Sequence, residues 1–94
     1  MNKYEILYII SGSADEVTRD ALTEKFKDYV ITTGGTVDNI EKWGLKKFAY
    51  PVNYKNEGYY VLMNFTCSAG VPAEMQKLMQ ITENLVRSMC VRKD

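Results

Sequence analysis

Two adjacent lysines inside a strand-like run carry the clearest chemistry in this chain. The run is WGLKKFAYPV, Trp43 to Val52, with Lys46 and Lys47 at its centre and Tyr50-Pro51 near its end. Neighbouring ammonium groups can neutralise phosphate oxygens, and Trp43, Tyr50 and the nearby Tyr60 can form an apolar docking surface beside them. On a strand, consecutive side chains point to opposite faces. Both lysines therefore reach water only where the strand outruns whatever layer covers the sheet. The pair also has a blander use, since lysine on an edge strand blocks edge-to-edge association.

Other reactive chemistry is scarce. The 94 residues include no histidine, which removes the commonest general base and metal ligand. Two separated cysteines, Cys67 and Cys90, are too few for a structural zinc site and are expected to be small buried thiols. No catalytic centre, metal or cofactor is expected. The length suits one domain over residues 1–94. No apolar run approaches a membrane span, and the opening MNKYEILYII lacks the apolar core and cleavage site of a secretory signal. A cytoplasmic location is the expectation.

Twelve basic and twelve acidic residues cancel, which argues against nucleic-acid binding by bulk charge alone. The cancellation hides a pattern. Residues 11–41 hold seven acids against three bases, whereas residues 42–56 hold Lys42, Lys46, Lys47 and Lys55 with no acid. Arg87, Arg92 and Lys93 add a basic end.

These residues are carried on six elements. Residues 3–10, KYEILYII, predict a strand with Ile6, Tyr8 and Ile10 on one face and Glu5, Leu7 and Ile9 on the other, apolar enough on both for a central position. Ser13 and Glu16 have capping-box spacing, and Val17, Leu22, Phe26 and Val30 form a helical stripe that Gly34-Gly35 ends. Residues 36–52 form a long strand with a bulge expected at Gly44. NYKNEG reads as a turn, and residues 59–67 as a strand whose Val61, Met63, Phe65 and Cys67 share a face. Pro72 starts a second helix, with Val71, Met75, Leu78 and Met79 as its stripe, fading near Asn84; residues 85–91 form the final strand. The order β-α-β-β-α-β predicts an α+β, ferredoxin-like fold: a four-stranded antiparallel sheet with two helices on one face, the first and third strands central. Cys67 and Cys90 then lie two strand spacings apart, roughly 9–10 Å, too far for a disulfide.

The segment GLKKFAYPV resembles the signature of the bacterial small-subunit ribosomal protein six family, through Gly44, Lys46, Lys47, Phe48, Ala49, Tyr50, Pro51 and Val52. KYEILYII, GYYVLMNF and ITENLVRSMCVRK are similar to its first strand, third strand and final passage, so the resemblance spans the chain. It implies a structural ribosomal protein that binds small-subunit ribosomal RNA as a heterodimer with small-subunit protein eighteen. A basic partner would explain the neutral charge. By position, the resemblance implies RNA contacts from Lys3, Lys46, Lys47, Arg87, Arg92 and Lys93, and partner contacts from Trp43, Tyr50 and Tyr60. Phe48 stands where leucine is more frequent, and the C-terminal extension of some members is absent. Asn2 stands where arginine is common, which counts against an N-terminal RNA contact.

Other functions fit less well. An acylphosphatase-like enzyme needs an anion-holding loop with an arginine after the first strand, and SGSADE offers two carboxylates instead. A free-standing RRM-type binder wants a basic residue before the third-strand glycine and aromatics at alternating positions, but Glu57 precedes Gly58, and Leu62 and Asn64 follow Tyr60 on its face. Composition does not exclude a regulatory domain that pairs sheet edges, but the match to the family signature does.

Overall fold

A computed structural model describes residues 1–52 and 55–93, with side chains described for 1–47 and 57–93. The elements run β1 (Asn2–Ser11), α1 (Glu16–Thr32), β2 (Thr36–Val52), β3 (Lys55–Cys67), α2 (Val71–Gln80) and β4 (Leu85–Arg92). All neighbours pair antiparallel in the order β2-β3-β1-β4, so the first and third strands are central, as the ferredoxin-like reading expects.

Alternation along the two central strands builds the core. Tyr4, Ile6, Tyr8 and Ile10 of β1 share a face with Val61, Met63, Phe65 and Cys67 of β3, and this face is buried against Leu22, Phe26 and Val30 of α1 and Met75 and Met79 of α2. The Tyr8 ring meets Phe26 edge-on at 5.4 Å, and Tyr4 stacks on Phe65 at 5.8 Å. Among the described residues the buried Tyr8 hydroxyl has no hydrogen-bond partner, and the Thr23 hydroxyl donates to Arg19 O. Burial pushes this phenol up to about 12, against a weaker opposing pull from the Thr23 hydroxyl.

Several local expectations are corrected. The α1 N-cap is Asp15, whose carboxylate accepts from Thr18 N at 2.8 Å; Ser13 instead pairs its hydroxyl with Ser11 Oγ. The hydrogen bonds from Thr18 hold the Asp15 carboxyl below its usual range. Val17 is 77% exposed, and Thr23 takes a buried place beside Leu22. Nine residues at about 100° each put Val17 half a turn away from Phe26. α2 ends at Gln80, short of Asn84, which adopts φ 70 in the turn into β4. Residues 55–58, expected in a turn, belong to β3; Asn53 and Tyr54 lie outside the described residues. The bulge falls where Gly44 predicts it, with a register shift between Lys42 and Gly44 and a second between Val37 and Asn39.

Both cysteines are free thiols. Cys67 is fully buried but Cys90 only half-buried, because β4 is an edge. Across β1 they align with Asn2 and Ile6 respectively, so they are offset along the strands as well as across them. Burial raises both thiols, Cys90 to about 11, which leaves them protonated at neutral pH.

Candidate nucleic-acid interface

All the sequence-predicted cations except Arg87 divide between the two ends of the sheet. Lys46 and Lys47 oppose Gly58 and Glu57 of β3, and Gly58 in turn opposes Ser11 at the end of β1. Lys3, Arg92 and Lys93 sit at the other end, where Lys93 N donates to Lys3 O at 2.8 Å and Tyr4 opposes Arg92. Eight residue steps along β1 separate Lys3 from Ser11, roughly 27 Å at strand rise. The molecule is 38 Å along its longest axis, so the two groups occupy opposite ends of it.

The opening puzzle of the paired lysines is resolved by how far the helices reach. Lys42 Nζ still meets Asp20 of α1, at 3.3 Å. Leu45, whose register partner Tyr59 packs against the core, is already 51% exposed. From there the β2–β3 ribbon runs past both the helix layer and the end of β1. Lys46 and Lys47 are accordingly both exposed, one on each face. Lys46 Nζ lies 5.3 Å above the Trp43 ring, which is itself exposed at the bulge. Arg19 of α1 lies 4.5 Å over the Tyr59 ring and donates to Ala14 O, closing the helix onto the base of the ribbon.

The opposite corner is held more closely. Arg92 Nη2 donates to Asn2 Oδ1 at 3.1 Å, Asn2 Nδ2 donates to Tyr4 Oη at 3.4 Å, and Lys93 Nζ lies 3.7 Å from Glu5. Arg87 opposes Ile9 between the two ends.

The sheet face away from the helices joins the two cationic ends. The register places Met89, Leu7 and Leu62 in one row and Arg87, Ile9 and Tyr60 in the next, with Val91 beside Glu5. Met89 and Val91 are exposed large apolar residues on this face. Neither stands out in the sequence as a surface residue; the only signal is the alternation of Arg87, Met89 and Val91 along β4. Tyr60 lies on this face, Trp43 at the bulge, and the Tyr50 side chain outside the described residues.

Fold and surface together define a two-layer, ferredoxin-like protein whose cations flank an uncovered sheet face. The sequence profile of the family described as ribosomal protein S6 matches residues 3–92. The chain is 46% identical to the small ribosomal subunit protein bS6 of Alkaliphilus metalliredigens, over 98% of this chain and 97% of that protein. It is 40% identical to bS6 of Caldanaerobacter subterraneus, over 100% of this chain and 99% of that protein. The crystal structure of 30S ribosomal protein S6 from Thermotoga maritima superposes with a TM-score of 0.92 at 29% identity, covering 98% of this chain and 87% of that one. The chain belongs to the ribosomal protein S6 family. Its role is accordingly structural, as a component of the small ribosomal subunit. No helix among the described residues is long and apolar enough to cross a membrane.

Proposed function

We propose that this protein binds small-subunit ribosomal RNA in the bacterial cytoplasm as one half of a heterodimer with small-subunit protein eighteen. Its cations touch the phosphate backbone at both ends of the sheet, through Lys46 and Lys47 at one end and Lys3, Arg92 and Lys93 at the other, with Arg87 between. Trp43, Tyr50 and Tyr60 face the protein partner. The observation that carries this reading is the exposure of Lys46 and Lys47 on a ribbon projecting past the helices. A chain of net charge +0 has little general attraction for a polyanion, so a few placed cations and a protein interface must share the task.

The test is filter binding of the ribosomal RNA central domain across a salt series, with and without protein eighteen. Tight binding is expected only when both proteins are present. Replacing Lys46 and Lys47 together with glutamate lowers the affinity and flattens the salt slope by about 1.5, since each phosphate contact contributes roughly 0.7–0.9. Circular dichroism of this variant matches that of the parent, because both side chains are solvated. Strong salt-dependent binding by the protein alone, or an unfolded double variant, overturns the reading.

A further inference from the structure

Asn2 carries no charge and so offers no ionic phosphate contact of its own. The geometry points to a different role: we propose that Asn2 is a positioning residue, holding the Arg92 guanidinium for an RNA phosphate at the corner where β1 and β4 end together. This rests on the RNA-facing reading above.

The chemistry fixes the orientation of the amide. A guanidinium can only donate, so the oxygen of Asn2 must face Arg92 Nη2, 3.1 Å away. The amide nitrogen is thereby turned to the Tyr4 hydroxyl, at 3.4 Å. Tyr4 is an anchored end to this relay, being buried and stacked on the fully buried Phe65. The backbone is fixed as well, since Tyr4 opposes Arg92 and Lys93 N donates to Lys3 O. The Arg92 head group is therefore tied through two hydrogen bonds to the hydrophobic core while remaining exposed. Arginine contributes most to phosphate binding when its planar fork is oriented beforehand. A neutral amide orients it without cancelling its charge, whereas a carboxylate there would do both.

The probe is the RNA central domain with protein eighteen, titrated over a salt series against this chain and its variants. Asn2→Ala weakens binding roughly three- to tenfold, the effect of one hydrogen bond, and keeps the salt slope. Arg92→Ala weakens it at least as much and lowers the slope by about 0.7–0.9. The double variant binds no worse than Arg92→Ala alone, because the amide acts only through the guanidinium. Asn2→Asp keeps the acceptor and the melting temperature but loses affinity and slope, an outcome that a merely structural role would not give. Parental binding by Asn2→Ala or Asn2→Asp, or additive losses in the double variant, overturns the positioning role while leaving the RNA reading standing. Parental binding by Arg92→Ala overturns both at this corner.

Discussion

The two ends of the sheet present similar charges by opposite means. At the corner of β1 and β4 the cations sit on strands fixed by a backbone bond, an ion pair to Glu5 and a relay into the core. At the far end, Lys46 and Lys47 ride a two-stranded ribbon held by ladder bonds, with Trp43 beside Lys46. The closed corner provides a fixed geometry and the ribbon provides reach.

The glycines make this contrast measurable. Gly35 lies at the closed end, where an added Cβ would come 2.7 Å from Thr66 O and 3.0 Å from both Cys67 Cβ and Val30 Cγ1. A backbone oxygen yields little, so Gly35→Ala is expected to cost about 3 kcal/mol in urea unfolding, with the slope m unchanged. A cost below about 1 kcal/mol would mean that this end is as loose as the other.

Tyr8, midway between the ends, gives the next largest effect. Its folded-state value near 12 lies above the ordinary 10, so its contribution is complete below pH 10 and is lost as pH climbs toward 12. About 2 kcal/mol should disappear over that window. Tyr8→Phe should remove the alkaline loss and change stability at pH 7 by less than about 1 kcal/mol, since the hydroxyl makes no bond to lose. Alkaline melting curves that are the same for both proteins would refute this.

Gly44 gives the smallest effect. It has φ +88 but nothing within 4 Å of an added Cβ. Gly44→Ala should therefore cost only the conformational penalty of a left-handed residue, about 1 kcal/mol, without a packing loss. Thermal melts of the two alanine variants side by side test the contrast directly, and equal losses would erase it.

The fold was legible because its main signals are local. Alternation along residues 3–10 and 59–67 fixed the central strands and their core face, Gly34-Gly35 marked the end of α1, and Gly44 marked the bulge. Errors arose where two local options competed. Ser13 and Glu16 had the right spacing for a cap, but Ser13 is engaged by Ser11 and the carboxylate of Asp15 takes the free amide. Val17 matched the residue type of the buried stripe but not its angle. The basic patches were visible as clusters in the sequence, yet their separation to opposite ends was not, because it depends on register. The Asn2–Arg92 contact lies beyond local inspection, as its partners are 90 positions apart.

That long span has a consequence for biosynthesis. The β2–β3 ribbon, with its lysines, can zip up soon after it emerges from the tunnel, since its contacts are near neighbours in the chain. The β1–β4 corner must wait until β4 has been made and has travelled back to the first strand, with the slow loop closure such distant pairings demand. A nascent or prematurely terminated polypeptide thus displays one cationic end but not the other. Recruitment that requires both would select finished copies over fragments without any dedicated quality-control factor.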